Sequence, residues 1–362
     1  MISQDSLISF ALESLGLPDS TEADIAPLSK RGSGRTFFRF RWSPQDSAII
    51  IHYDPERIEN TYYADIAVFL TKRLIPVPRI IRHDPSKCII LMEDMGNIDL
   101  WSYRQKDWEI KRTLYQKTLV AAYRLHNIQE DLSCSDIRLM EGFNAALYEW
   151  EHKYFLEHFV KGICNIDIEP KMMAAIENEL HQLVKRLMKA PPCLVHRDLQ
   201  SQNVMIMDEK PFFIDFQGMR TGCAFYDLAS LINDPYVYFS DEEIEELLSF
   251  YYVLSGAALD WDAFRSFFWE ASIQRLMQAL GAYGFLSLKL GLVEFLRHIP
   301  GGQNNIIRAS TYVQNIPCLL YTSDAADDLL CVALGGRRIF KKKKNNTNHF
   351  PVHHIATLLT LR

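Results

Sequence analysis

Short apolar runs dominate the first part of the chain. They predict β-strands at residues 37–42, 48–52 and 88–92, each bounded by polar or turn-forming residues. Two other segments, 6–15 and 59–70, carry apolar residues three and four positions apart and therefore predict helices. We expect the N-terminal part of the chain to be mostly β-sheet, with helices packed beside it.

The pattern changes to a helical period after about residue 95. Apolar residues at helical spacing predict helices at residues 107–126, 143–159 and 177–188. Between two such regions, the short apolar runs 204–207 and 212–214 predict a β-hairpin. The two parts together predict an α+β fold with a β-rich N-terminal lobe and a helical C-terminal lobe.

Polar residues flank the predicted hairpin. Asp198 follows the apolar run that leads into it, Asn203 precedes its first strand, and Asp215 follows its second strand. Phosphoryl transfer requires a positioned hydroxyl and charge neutralisation more than covalent help from the protein. Asp198 can accept the proton of a substrate hydroxyl or orient that hydroxyl, while Asn203 and Asp215 offer the oxygen ligands that Mg²⁺ prefers. The hairpin therefore predicts a magnesium-dependent phosphotransferase.

Two motifs in this segment resemble those of the protein-kinase-like superfamily. His196-Arg197-Asp198, with Asn203 five positions after the Asp, is similar to the His-Arg-Asp-x-x-x-x-Asn loop, and Asp215-Phe216-Gln217 replaces Asp-Phe-Gly. The Gln and the short spacing between the motifs resemble the aminoglycoside phosphotransferase and choline kinase branch. The resemblance implies a bilobal protein-kinase-like fold, with Asp198 as the base and Asn203 and Asp215 holding Mg²⁺.

The resemblance also implies supporting roles and lobe boundaries. Asp227 matches the Asp that accepts backbone N–H bonds from the catalytic loop, although an ordinary helix N-cap is the alternative. His196 and Arg197 are expected to shape the loop. The nucleotide-binding N-lobe would cover residues 1–94, and the catalytic and acceptor-binding C-lobe would cover residues 95–317.

A glycine-containing segment precedes the first predicted strand of this lobe. Glycine allows backbone N–H groups to approach phosphate oxygens closely, and nearby arginines add positive charge. A Gly-Ser-Gly sequence between strands is also a common turn. Related sugar kinases cover the nucleotide with a similar Gly-Ser-x-Arg-x-Phe-x-Arg segment. We therefore expect contacts to ATP or GTP from Gly32, Ser33, Gly34, Arg35 and Arg39.

The chain departs from the superfamily at the strand covering residues 48–53. This strand carries no Lys, although related kinases place there the Lys that holds the α and β phosphates. His52, Arg39 or Arg57 could replace that charge, or the metal could carry most of it. The strand at 88–92 leads into the expected hinge, where the backbone of Met92, Glu93 and Asp94 would contact the base of the nucleotide.

A later segment resembles a narrower group of kinases. Gln274-Arg275, followed by Leu280-Gly281, is similar to a segment of the bacterial anomeric sugar kinases that act on N-acetylmuramate and N-acetylglucosamine in cell-wall recycling. The resemblance implies an amino-sugar acceptor phosphorylated at its anomeric hydroxyl. Three polar residues of the helix at 143–159 are the candidate acceptor contacts, namely Glu149, Glu151 and Lys153.

Charge and composition limit the partners and the compartment. The net charge of −6 over 362 residues is not typical of a nucleic-acid-binding protein. Charged residues interrupt the apolar windows, and the first twelve residues lack the pattern of a secretory signal. The seven Cys show no paired spacing, which favours reduced thiols. We expect a cytoplasmic enzyme acting on a small molecule, with no nucleic-acid or membrane partner.

The last part of the chain differs from the rest. Residues 318–328 resemble the translation of a transposase sequencing adapter, and a run of four Lys begins at Lys341. Residues 318–362 carry seven Lys or Arg and three Asp or Glu. A basic tail that binds nucleic acid or lipid is the alternative. We interpret the segment as a non-native tail and expect it to pack poorly.

Three other functions are compatible with these residues. An aminoglycoside kinase would need an acidic acceptor cleft, which the acidic body of the chain allows. A kinase for choline or homoserine would share the catalytic motifs. A pseudokinase that binds nucleotide without turnover would explain the absent Lys, but it would not need Asp198, Asn203 and Asp215 together. The oligomeric state is not indicated by the sequence.

Overall fold

A computed structural model describes residues 3–28, 34–128, 137–256 and 258–313, together with the backbone of a short strand at 340–342. The predicted nucleotide contacts Gly32 and Ser33 lie outside the described residues, as does the C-terminal tail apart from that strand. The strand β11 (Phe340–Lys342) pairs antiparallel with β6 (Ile166–Ile168).

Five antiparallel strands form the N-terminal sheet, in the order β1-β2-β3-β5-β4. The alternation that predicted these strands sorts their side chains between two faces. Ile50 of the third strand packs on one face, whereas Ile49 and Ile51 pack on the other. The strands are β1 (Asp24–Pro27), β2 (Arg35–Arg41), β3 (Ser47–Tyr53), β4 (Ile80–Asp84) and β5 (Ile89–Glu93).

Two helices cover the sheet. The helix α1 (Gln4–Leu15) packs on the Ile50 face, and α2 (Ile58–Lys72) packs on the opposite face. Ser3 is the N-cap of α1, and its hydroxyl accepts the N–H of Ser6. Serine is suited to this position, because its oxygen satisfies a free N–H of the first turn.

The C-terminal part is mainly helical. The helix α5 begins seven residues before its predicted start because Pro170 opens its first turn. The helices are α3 (Trp108–His126), α4 (Ala145–Phe155), α5 (Pro170–Leu187), α6 (Ala224–Ile232), α7 (Asp241–Ser255), α8 (Trp261–Lys289) and α9 (Ile299–Tyr312), with 3₁₀ turns at Leu100–Tyr103, Ser201–Asn203, Phe216–Gly218 and Val293–His298.

Two small strand pairs carry the segment that holds the candidate chemistry. The strands β7 (Pro192–Val195) and β10 (Arg220–Cys223) pair antiparallel, and so do β8 (Val204–Met207) and β9 (Lys210–Phe213). The second pair is the predicted hairpin. Within the part of the chain that the structure describes, no helix is both long enough and apolar enough to cross a membrane.

The helix α4 continues into a π-helical segment (Leu156–Ile163) that lies against α8. Two glycines of α8 permit this close approach. A Cβ atom on Gly284 would stand 2.2 Å from the carbonyl oxygen of His158, and one on Gly281 would stand 3.0 Å from the backbone nitrogen of Phe155. Both contacts involve backbone atoms, which cannot rotate away as a side chain would.

We predict that Gly284→Ala destabilises the protein although alanine favours helices. The added methyl must displace the backbone at His158, and such overpacking typically costs about 1–3 kcal/mol. Denaturant unfolding checks this expectation. As a control, Ala282→Gly on the same helix should cost only about 1 kcal/mol of helix propensity. An unfolding free energy of Gly284→Ala equal to or above that of the wild type would contradict the prediction.

Candidate active site

The candidate catalytic loop, residues 196–198, is tied to the buried carboxylate of Asp227. The backbone N–H groups of His196 and Arg197 donate to its two oxygens at 2.6 and 2.9 Å, and His126 Nε2 lies 3.1 Å from Oδ2. Asp227 lies inside α6, whose N-cap is Cys223, so the alternative N-cap interpretation of Asp227 is wrong. The ring of His196 also contacts the hairpin through Nε2, which donates to the Ile214 carbonyl at 2.9 Å.

Asp198 is held from two sides. Its Oδ1 accepts a hydrogen bond from Nη2 of Arg275 at 2.5 Å, and its Oδ2 accepts a weaker one from Nδ2 of Asn203 at 3.3 Å. The same Asn203 nitrogen donates to the backbone carbonyl of Asp198 at 2.9 Å. About a quarter of the Asp198 side chain is exposed, so a carboxylate with fixed orientation faces solvent.

Arg275 was not given a role from the sequence. It lies on α8, is buried, and donates to Ser230 Oγ at 2.7 Å and Gln278 Oε1 at 2.5 Å as well as to Asp198. Burial alone would lower the pKa of Arg275, but the adjacent Asp198 carboxylate raises it, and the net direction is upward. The sequence shows an arginine within a helix of mostly apolar residues, which could have indicated a buried ion pair. Only the fold identifies Asp198 as its partner.

Asn203 and Asp215 lie at the base of the hairpin, where the N–H of Ile214 donates to the Asn203 carbonyl at 3.0 Å. Burial favours the neutral form of Asp215, but the nearby Arg35 guanidinium lowers its pKa below the usual range. Asp198 engages the amide nitrogen of Asn203, and the amide oxygen takes no part in those bonds. One carboxylate and one amide oxygen suit Mg²⁺, which takes its other ligands from phosphates and water.

Arg35 brings positive charge from the N-terminal sheet to this carboxylate. It is buried on β2, and its guanidinium donates to Asp215 Oδ1 and, at 2.8 Å, to Gln217 Oε1. Of the candidates for the absent Lys, His52 has a pKa lowered by burial, which disfavours its cationic form. Arg35 was predicted to contact the nucleotide, and the fold places it against Asp215, a proposed metal ligand.

Arg39 and Asp94, also predicted to contact the nucleotide, form an ion pair with each other. The Arg39 guanidinium donates to both Asp94 oxygens at 2.5 and 3.0 Å, and to Asn97 Oδ1 at 2.7 Å. The Ser47 hydroxyl also donates to Asp94, at 2.7 Å. These contacts join β2 to the segment after β5, so both side chains are engaged in holding the hinge. The proposed backbone contact of residues 92–94 with the nucleotide does not depend on these side chains.

The three candidate acceptor residues occupy different environments. Glu151 is buried, and accepts hydrogen bonds from the Tyr226 hydroxyl and from Nε2 of Gln274, both at 2.9 Å. Glu149 lies 3.5 Å from His181 on α5, and Lys153 is exposed. Within the described part of the chain, neither Glu149 nor Lys153 forms a hydrogen bond or an ion pair with the catalytic loop. The fold therefore brings only Glu151 into contact with neighbours of that loop.

The fold and this arrangement define a protein-kinase-like phosphotransferase. Residues 24–267 match the phosphotransferase enzyme family APH, and the chain belongs to that family. It is accordingly an ATP-dependent phosphotransferase that acts on a hydroxyl group.

Known proteins similar to this chain include sugar kinases and structural relatives of lower identity. The N-acetylmuramate/N-acetylglucosamine kinase of Neisseria meningitidis is 23% identical over 282 residues, which cover 76% of this chain and 82% of that protein. A choline/ethanolamine kinase family protein from Mesorhizobium loti superposes with a TM-score of 0.59 at 13% identity, covering 91% of this chain and 99% of the other. The gentamicin complex of APH(2")-IIa gives 0.57 at 16% identity, covering 86% and 100%.

We predict that Arg275→Gln lowers turnover about 100-fold, because small displacements of a catalytic group cost rates of this order. Arg275→Lys should recover part of the activity by retaining the charge. Steady-state kinetics, with nucleotide affinity measured separately, checks both variants. The matched control is Arg265→Gln, which breaks an ion pair between α8 and Glu245 of α7. Equal losses in the 275 and 265 variants would contradict a specific effect on Asp198.

A second prediction concerns the ion pair between Arg39 and Asp94. Burial alone would raise the pKa of Asp94, but Arg39, Ser47 and the Gly96 N–H lower it below the usual carboxyl value. The pair therefore stabilises the fold above the ordinary carboxyl pKa, and this contribution is lost as the pH falls through the lowered one. We expect Asp94→Asn to cost about 3 kcal/mol at neutral pH, and less in acid.

Denaturant unfolding of Asp94→Asn, Arg39→Gln and the double variant at several pH values measures this coupling. The double variant should be less destabilised than the sum of the two single variants. Additive effects, or a cost of Asp94→Asn that grows in acid, would show that the ion pair does not stabilise the hinge.

Proposed function

We propose that this enzyme is a cytoplasmic amino-sugar kinase that transfers the γ-phosphoryl group of ATP or GTP to the anomeric hydroxyl of an N-acetylhexosamine. The observation that carries the proposal is the Asp198 carboxylate, which Arg275 and Asn203 orient. The candidate metal ligands Asn203 and Asp215 lie at the base of the hairpin that follows it. The name of the Neisseria relative supports the sugar.

Each residue has a role in this mechanism. Asp198 accepts a hydrogen bond from the acceptor hydroxyl, aims its oxygen at the γ-phosphorus, and takes the proton as the new O–P bond forms. The bond between the γ-phosphorus and the β–γ bridging oxygen breaks, and the nucleoside diphosphate leaves. Asn203 and Asp215 would hold Mg²⁺, which neutralises charge on the phosphates when bound. Arg35 adds a buried positive charge at Asp215, from the strand preceding the one that lacks a Lys.

The charges near Asp198 favour a neutral or anionic acceptor over a polycation. Arg275 already pairs with Asp198. Glu151 is buried with its pKa raised by burial, while Asp234 is buried, has a pKa raised to about 6, and accepts hydrogen bonds from Ser201 and Tyr236. These two carboxyls are buried and lack the exposure that contact with the ammonium groups of an aminoglycoside would need. The pseudokinase alternative was based on the absence of a Lys on β3. It is disfavoured because Arg35 supplies a positive charge at Asp215.

We predict Mg²⁺-dependent ATP consumption with N-acetylated sugars and little or none with aminoglycosides, choline or homoserine. In the same assay Asp198→Asn should lose about 10²–10⁴-fold in turnover and still bind nucleotide. Phosphorus NMR of the product would identify an anomeric phosphate by its coupling to the anomeric proton. Turnover confined to an aminoglycoside would replace the proposed acceptor, and nucleotide binding without turnover on any acceptor would favour the pseudokinase.

A further inference from the structure

Two arginines lie together beside the catalytic loop. Arg220, the first residue of β10, is paired in register with Val195 at the end of β7, and Arg197 follows Val195 by two positions. Both side chains lie near Gly218. Nε of Arg220 donates to its carbonyl at 3.1 Å, and Cδ of Arg197 lies 3.7 Å from where a Cβ atom of that glycine would stand.

These two guanidiniums have no carboxylate within ion-pairing distance among the described residues, and the Arg197 side chain donates no hydrogen bond there. Two carboxyls act on the pair from further away, Glu151 on both charges and Glu59 on that of Arg220. Glu151 is buried, its pKa is raised by burial, and its oxygens accept hydrogen bonds from Tyr226 and Gln274. The pair therefore carries positive charge that no direct ion pair neutralises.

The surroundings hold the pair in place despite its repulsion. The guanidinium carbon of Arg220 lies 5.3 Å from the ring centroid of Phe143, whose N–H donates to the Thr221 carbonyl at 2.8 Å. The pKa of Arg220 is lowered by burial and, to a smaller extent, by the charge of Arg197. Two half-buried guanidiniums kept together at this cost are suited to an anion that both can contact.

We propose that Arg197 and Arg220 form an anion subsite that holds a carboxylate of the acceptor sugar. Arg197 directly precedes Asp198, so the subsite adjoins the residue that orients the acceptor hydroxyl. The subsite rests on the proposed function and deepens it. The enzyme would favour an acidic N-acetylhexosamine over a neutral one, and N-acetylmuramate differs from N-acetylglucosamine by such a carboxylate-bearing group.

The test compares kcat/KM for N-acetylmuramate with that for N-acetylglucosamine in the wild type, Arg220→Gln and Arg197→Gln. The ratio of acidic to neutral sugar should fall by about 10- to 100-fold in Arg220→Gln, the range expected for losing a hydrogen bond to a charged group. Arg220→Lys should recover part of the ratio. Arg112→Gln, which breaks a surface ion pair with Glu246, is the matched control and should keep the wild-type ratio.

A wild-type ratio in Arg220→Gln, or equal losses for both sugars, would overturn the acceptor subsite. Failure of the wild type to phosphorylate either sugar would instead overturn the proposed function. The thermal unfolding temperature, measured with and without inorganic phosphate, then tests anion binding by the two arginines independently of turnover. Stabilisation by phosphate that is lost in Arg220→Gln would support an anion site that serves a free anion, and absence of any stabilisation would reject the site altogether.

Discussion

The candidate catalytic loop depends on one buried carboxylate. Asp227 presents two oxygens to the successive N–H groups of His196 and Arg197, and His126 of α3 contacts the same side chain. Arg197 has a positive φ of 78°, a conformation that most residues avoid. Since a fixed acceptor must compensate for this strain, the loop can turn sharply after β7 and expose Asp198. The buried Asp227 carboxylate and the partly exposed Asp198 carboxylate are therefore two parts of one arrangement.

Arginines from distant elements complete the site. Arg35 of β2 pairs with Asp215, and Arg275 of α8 pairs with Asp198, so each of these two carboxylates has a buried cation. Removing either partner would leave the other charge incompletely compensated, which is far more costly inside a protein than at its surface. The first pair also joins the N-terminal sheet to the hairpin. A positive charge thus reaches the proposed metal site without a Lys on β3.

The sequence predicted β2, β3, β5 and the hairpin strands β8 and β9 to within two residues, because apolar runs bounded by turn residues depend on local patterning. It did not predict β1, β4, β6, β7 or β10, which are short and lack such a pattern. The motif at Asp198, Asn203 and Asp215 could also be recognised from local patterning, since all three positions lie in one hairpin segment. The role of Arg275 could not, because its partner lies 77 positions away and only the packing of α8 joins them. Glu151 was expected to face an acceptor, yet Tyr226 and Gln274 enclose it. The local sequence pattern identifies polar residues, but it does not show which distant side chains pack over them and bury them.

The packing of α8 determines where two polar side chains of the candidate site lie. Gln274 and Arg275 are consecutive, so their side chains leave the helix about 100° apart; one reaches Glu151 on α4 and the other reaches Asp198. Gly281 allows α8 to approach α4 at Phe155, and Gly284 allows it to approach the π-helical segment at His158. Both glycines lie on the same helix as Gln274 and Arg275, so they help to fix the position of that helix. The residues that orient the Asp198 carboxylate therefore depend on two positions that have no polar chemistry of their own.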